Sequence, residues 1–172
     1  MMKVKIVKTR IKNIKDKYNG LKEIYKLLIC IAFGIAVGLV ISNCFLTRAR
    51  VIGSSMEPTY YSDDNLFVCR VMNPNRGDVV VVENKDKNLI KRVVGLPGDT
   101  VQIVDSMVFL NGELYVEDYI SSELVYDGGL AEEEIHLGED EYFVLGDNRP
   151  VSMDSRIIGP IKEKDILGVV LD

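Results

Sequence analysis

The stretch TVQIVDSMVFLNGELYV, Thr100 to Val116, decides the fold class. It is rich in β-branched and aromatic residues, and Asn111-Gly112 supplies the pair that a two-residue type I′ hairpin turn requires. Two or three short strands are predicted here. The same texture continues on both sides. NLFVCRV (Asn65–Val71) alternates, and GDVVVVEN (Gly77–Asn84) is a β-branched run behind a turn. NLIKRVVGLPGD (Asn88–Asp99) reads as a strand ending in a Pro-Gly turn, and EYFVLGDN (Glu141–Asn148) and ILGVVLD (Ile166–Asp172) supply two more. Short strands separated by turns predict a mainly β domain of antiparallel sheets, or a partly open barrel, over 47–172. Residues 117–140 differ: they are acidic and contain glycine, and read as a small insertion or subdomain on the sheet.

Upstream lies LLICIAFGIAVGLVISNCFL, Leu27 to Leu46, with no charge in 20 residues. A helix of that length, at about 1.5 Å per residue, spans about 30 Å, the thickness of bilayer hydrocarbon. One transmembrane helix is predicted over 27–46. Its apolar core is long for a cleavable leader and is followed by TRAR, which favours retention as an anchor. Gly34 and Gly38 form a GxxxG pair, a pattern that dimerises some helices and is common in membrane helices generally.

Charge sets the orientation. Residues 1–26 carry a net +7, whereas residues 51–172 carry a net −14; with Arg48 and Arg50 the chain totals −5. The basic segment 1–26 is therefore expected on the cytoplasmic side, with 3–26 readable as an interfacial helix and the acidic body outside. Beside a membrane span this basic segment reads as topogenic and lipid-contacting; no nucleic-acid partner is expected. Cys69 is the lone cysteine of the outer body, which therefore has no internal disulfide. No Cys/His cluster of the kind that holds zinc is present, and no metal or cofactor is expected.

Three polar segments carry the chemistry. GSSMEPTY (Gly53–Tyr60) begins seven residues beyond the apolar run and contains Ser55. A turn serine is ordinarily structural and becomes a nucleophile only beside a base. The sole histidine, His136, sits among acids, which favour its charged form and disqualify it as a base. Lysine is the alternative, provided burial keeps it neutral. In LIKRVVG, Lys91 and Arg92 point to opposite faces of a strand, so one of them points inward if both faces are covered. The third segment is GDNRPVSMDSR (Gly146–Arg156), which reads either as a loop held by Asp–Arg pairs or as the source of a hydroxyl, Ser152, that positions the lysine.

Taken in order behind an amino-terminal anchor, GSSMEPTY, IKRVVGLPGD and GDNRPVSMDSR resemble the motif boxes of bacterial type I signal peptidases, membrane-anchored Ser/Lys proteases. The resemblance covers most of 27–172. It implies Ser55 as nucleophile, Lys91 as general base, and Ser152 as the residue orienting that lysine. It implies structural ion-pair roles for Arg92, Asp147, Asp154 and Arg156, and places Met56 near the scissile site and the membrane-facing surface. Some members have a serine where this chain has Gly53; here the Ser55 N–H is the expected oxyanion donor, with Gly53 helping to shape the site. The single anchor and short insertion match the compact Gram-positive type. The implied function is removal of signal peptides from secreted preproteins after small residues at −1 and −3, without metal or cofactor. Membrane lipid and the secretion machinery are the implied partners. Two rivals remain from the sequence alone: a self-cleaving repressor with a similar β fold, and a non-catalytic factor for pilus assembly.

Overall fold

The structure is a computed structural model that describes residues 21–22, 24–40, 45–85, 87–120 and 124–171. The chain divides into two compact units, Met1–Cys44 and Phe45–Asp172. In the first, residues 21–22 and 24–40 (α1) are helical and exposed. No helix among the described residues is long and apolar enough to cross a membrane. Residues 41–44 of the predicted span, and most of the segment 3–26 read as an interfacial helix, lie outside the described residues. The far end of the 27–46 prediction is corrected: Leu46 already belongs to a strand, so the second unit starts just before residue 47.

That unit is mainly β, with antiparallel sheets. Its strands are β1 (Leu46–Arg50), β2 (Asn65–Cys69), β3 (Val79–Val82), β4 (Leu89–Gly95), β5 (Thr100–Val104), β6 (Met107–Leu110), β7 (Glu113–Leu114), β8 (Ile135–His136), β9 (Glu141–Leu145), β10 (Ile161–Lys162) and β11 (Ile166–Leu171). A seven-stranded sheet runs β1-β2-β11-β3-β4-β9-β10, and a four-stranded sheet runs β7-β6-β5-β8. The sheets include a half-barrel.

Sequence explains the placement. The run Val79–Val82 is buried at every position because β3 lies between β11 and β4 with both faces covered. In β4, Leu89, Lys91 and Val93 are buried while Ile90 and Arg92 are less so. A register shift between Val93 and Gly95 ends that alternation against β9. Gly95 is required there: a Cβ would stand 2.7 Å from both Leu137 and Val101. The β6–β7 turn has φ of 54° at Asn111 and 81° at Gly112, the predicted type I′ signature.

Residues 117–140 are not a separate subdomain. Within them β8 pairs with β5, and Tyr126, Ala131 and Leu137 join the core cluster of Val94, Val101 and Phe143. A second core cluster gathers Val51, Met56, Leu66 and Val68 beneath the Gly53–Tyr60 turn. The first cluster supports β4 and β9, from which the 146–156 loop departs, and the second supports the turn that carries Ser55.

Candidate active site

The three polar segments meet at β4. Ser55 lies in the turn that follows β1, and Lys91 reaches it from the middle of β4. Lys91 Nζ is 2.7 Å from Ser55 Oγ and donates to the Ile90 carbonyl at 2.8 Å. The lysine is only 2% exposed, because it shares its face with Leu89 and Val93. Burial is the main reason its pKa falls from 10.5 to about 8. Asp154 pulls it upward, Lys87 lowers it further, and Asp147 and Arg156 add opposing contributions. The Ile90 carbonyl takes one N–H of the amine, so a neutral Nζ can turn its lone pair toward Ser55.

Arg92, on the other face of β4, is tied to Asp147 by Nε at 2.9 Å and Nη2 at 2.6 Å. The same carboxylate accepts from Thr59 Oγ1 at 2.5 Å, in the Gly53–Tyr60 turn. Asp147 is thus a junction of all three segments, and it is 1% exposed. Asn148 makes two more links: its N–H donates to the Ser55 carbonyl at 3.1 Å and its Nδ2 to the Ser54 carbonyl at 3.0 Å. Gly146 allows this close approach, since a Cβ there would fall 2.5 Å from the Ser55 carbonyl oxygen and closer still to Ser152 Oγ.

The loop beyond is organised by two arginines. Asp154 caps the short helix α2 (Ser155–Ile158), accepts from Arg156 Nε at 2.9 Å, and accepts from the Gly146 N–H at 3.0 Å. Arg156 Nη2 in turn donates to the Arg149 carbonyl at 2.7 Å. Arg149, fully buried, donates to the Gly146 carbonyl at 3.0 Å, to Tyr126 Oη at 2.7 Å and to both oxygens of Glu117. Glu117 also accepts from Tyr119, whose ring covers the Arg92 guanidinium at 4.2 Å. Burial drives the Tyr119 phenol upward, and the Glu117 carboxylate adds to it.

Two predicted residues, Ser152 and Met56, stand differently from expectation. Ser152 makes no hydrogen bond to Lys91; its Oγ is buried without a partner among the described residues, close to Gly146. Gly53 adopts φ of 91°, which favours glycine, and its N–H donates to Ser62 Oγ at 3.4 Å. Met56 is corrected in part: it lines the cleft with Ser55, but at 1% exposure it packs in the core under the turn and presents nothing to a lipid surface. The exposed apolar side chains beside the site are Ile52, Val151 and Met153. Sequence reasoning also missed Asn148, Arg149, Glu117 and Tyr119. Asn148 and Arg149 sit inside the third polar segment, but nothing in the sequence separates Glu117 from the other acids of 117–140.

A cleft of about 400 Å³ opens over Ser55 and Lys91. One wall is residues 48–56, the other 87–91, with Val81, Val151 and Met153 completing it. His136 is elsewhere, 2.8 Å from Thr100 Oγ1 on the smaller sheet.

Comparison with known proteins bears on this geometry. The family model described as signal peptidase, peptidase S26, matches residues 22–171. Signal peptidase I of Bacillus licheniformis is 35% identical over 89% of this chain and 88% of its own. Signal peptidase I P of Bacillus subtilis subsp. natto is 36% identical over 92% of this chain and 90% of its own. Among solved structures, a signal peptidase I from Enterococcus faecalis V583 aligns with a TM-score of 0.51 at 32% identity, covering 59% of this chain and 99% of that one.

Proposed function

The chain belongs to the signal peptidase family, peptidase S26, and we propose that it is a membrane-anchored serine endopeptidase with Ser55 as nucleophile and Lys91 as its general base. The observation that carries this reading is the 2.7 Å contact between Lys91 Nζ and Ser55 Oγ, with the lysine held out of water.

The mechanism starts with a preprotein lying extended in the cleft, its small −1 and −3 side chains on the apolar floor formed by residues such as Val51, Met56 and Leu89. Neutral Lys91 takes the Ser55 proton as Oγ attacks the −1 carbonyl. The Ser55 N–H supports the oxyanion, an effect worth about 3 kcal/mol per donor in serine proteases. Gly53 keeps the adjoining wall open. Asn148, by holding the Ser54 and Ser55 carbonyls, fixes the direction of that N–H. The Lys91 ammonium then protonates the departing amine, which carries the new N-terminus of the mature protein. Water, deprotonated by the same lysine, hydrolyses the acyl-enzyme. Ser152 is the unsatisfied hydroxyl available to receive the lysine when it swings from Ser55. Arg92, Asp147, Asp154 and Arg156 hold the three segments in register.

The uncharged run from Leu27 up to the start of β1 at Leu46 serves as a single membrane anchor, with residues 1–26 cytoplasmic and the catalytic unit outside, where membrane lipid and the secretion machinery are its neighbours. Ile52, Val151 and Met153, rather than Met56, are the exposed apolar side chains available to lipid beside the cleft. Such a nucleophile stands close to where a substrate's own apolar segment leaves the bilayer.

The test is cleavage of a preprotein with an Ala-x-Ala site by the full-length chain in detergent, read by mass spectrometry beside folded Ser55→Ala and Lys91→Ala. A single cut after the second alanine, lost in both variants, is expected. Cleavage surviving either substitution overturns the assignment.

A further inference from the structure

The hydrogen-bonding edge of the Arg92 guanidinium is fully occupied. Nε and Nη2 hold the two oxygens of Asp147, Nη1 donates to the Gly77 carbonyl at 2.8 Å, and Nη2 also reaches Thr59 Oγ1 at 3.3 Å. What remains is its flat face, which is weakly hydrated and suits an aromatic ring. Tyr119 lies over that face at 4.2 Å. With the ring there, the Arg92 side chain is 11% exposed and Asp147 is 0% exposed. The ring is itself held. The Tyr119 hydroxyl donates to Glu117, and Glu117 is bound by Arg149 of the 146–156 loop, with Nη1 at 2.8 Å and Nη2 on its other oxygen. One short segment after β7 thus grips both β4 and the loop. None of Thr59, Arg92, Glu117, Tyr119, Asp147 and Arg149 lines the cleft.

We propose that Tyr119 is a positioning residue for cleavage: its ring, steadied by Glu117, keeps water off the Arg92–Asp147–Thr59 junction and so holds the Ser55 turn against β4. The inference rests on the reading of Ser55 and Lys91 as the cutting pair. Thr59 belongs to the same turn as Ser55, and its hydroxyl is bound to Asp147. A dry ion pair fixes what it joins, whereas a solvated one exchanges its partners with water and fixes little. Without the ring the guanidinium face is open to water, the junction loosens, and the turn drifts relative to Lys91. A nucleophile and base that stand 2.7 Å apart lose rate steeply on small displacements. Because the junction lies outside the cleft, the loss falls on the chemical step and not on substrate binding.

The test uses the full-length protein in detergent with an Ala-x-Ala preprotein at pH 9, where Lys91 is mostly neutral and its charge does not enter. Tyr119→Leu removes the ring, and Tyr119→Phe keeps it while losing the hydroxyl. Urea unfolding establishes that each variant is folded under the assay conditions. Expected is a fall in kcat of about threefold to tenfold for Tyr119→Leu with KM unchanged, and recovery of most of it in Tyr119→Phe. In an Arg92→Met background, Tyr119→Leu is expected to add little further loss, because both act through one contact. Amide hydrogen exchange by mass spectrometry, on Ser55→Ala protein, reads the turn without the chemistry: Tyr119→Leu is expected to speed exchange over 53–60 and not in β3. An unaltered kcat in Tyr119→Leu overturns the proposal, as do equal losses in the Leu and Phe variants, a loss that adds fully to that of Arg92→Met, or exchange raised alike in the turn and in β3. Cleavage that persists in Ser55→Ala, with the turn still loosened by Tyr119→Leu, instead removes the cutting pair and leaves the hold of Tyr119 on the turn standing.

Discussion

The pH dependence of cleavage follows directly from the burial of Lys91. Its pKa is lowered to about 8, chiefly by desolvation, so only the fraction neutral at a given pH can act as the proposed base. With that value about a tenth of the molecules are competent at pH 7 and about nine-tenths at pH 9. An ordinary lysine at 10.5 would leave roughly 0.3% competent at pH 8, so burial raises the working population on the order of a hundredfold there. The expected profile of kcat/KM for an uncharged substrate rises about tenfold between pH 7 and pH 9, with a midpoint near 8. Stability carries the same signature with a defined sign. The folded state gives up its proton more readily than the unfolded state, so the cost of burying the charged lysine is complete below pH 8 and gone above about 10.5. That cost is about 3 kcal/mol, since each tenfold change in proton affinity is worth about 1.4 kcal/mol. Lys91→Met is therefore expected to be inactive yet more stable at pH 7, by about 2 kcal/mol once lost hydrogen bonds are counted, with the gain vanishing toward pH 10.5. Urea unfolding at pH 7 and 10 measures it. A rate profile flat from pH 7 to 9, or a midpoint above 10, refutes the neutral-lysine base; a Lys91→Met variant less stable than the parent at pH 7 refutes the burial cost.

Gly146→Ala forces a Cβ onto the Ser55 carbonyl and Ser152, and is expected to cost about 1–3 kcal/mol in urea unfolding and most of the activity. Glu117→Gln strands the buried Arg149 guanidinium, with an expected loss of about 3–5 kcal/mol; a Glu117→Leu, Arg149→Met double variant recovers much of it by thermal melting. Asn148→Ala removes the donor to the Ser54 carbonyl and is expected to lower kcat about fivefold with KM unchanged, in steady-state kinetics. Arg156→Met removes one of the influences that lower the Lys91 pKa and the partner of Asp154, so the midpoint of the pH–rate profile moves up and activity at pH 7 falls more than at pH 9; Arg156→Lys restores part of the original profile.

The long β-branched runs were legible because burial on both faces leaves no polar positions to disguise them, as in Val79–Val82. The opposition of Lys91 and Arg92 was legible too, since strand geometry alone sends neighbours to opposite faces. The shortest strands were not. β1 reads LTRAR and follows an apolar helix pattern; only its pairing with β2 makes it a strand, and that pairing is non-local. β8 and β10, of two residues each, carry no periodicity to detect. Met56 was placed only in part, near the scissile site as the resemblance implied but away from any lipid surface, because the turn folds back over Val51, Leu66 and Val68, a non-local packing. The Glu117–Arg149 pair joins residues 32 apart, through a segment whose acidity and glycines read only as an insertion or small subdomain on the sheet.

Two buried carboxylates beside a lysine that must stay neutral would ordinarily defeat the arrangement, because each stabilises the ammonium form. Here each carboxylate is already engaged. Asp147 is held by Arg92 and Thr59, and Asp154 by Arg156 and the Gly146 N–H. Their negative charge is balanced by arginines bound elsewhere than at Ser55, so desolvation outweighs them at Lys91. The same pairs tie the Ser55 turn, β4 and the 146–156 loop together, which fixes the lysine against the serine. An ion pair that only stiffened the loop need not sit this close, and a carboxylate without its arginine would stiffen nothing while recharging the base. Placing an arginine on each acid therefore solves the geometric and the electrostatic requirement with one set of contacts, and it explains why an acidic domain keeps a half-buried arginine on β4 and a buried one in the 146–156 loop.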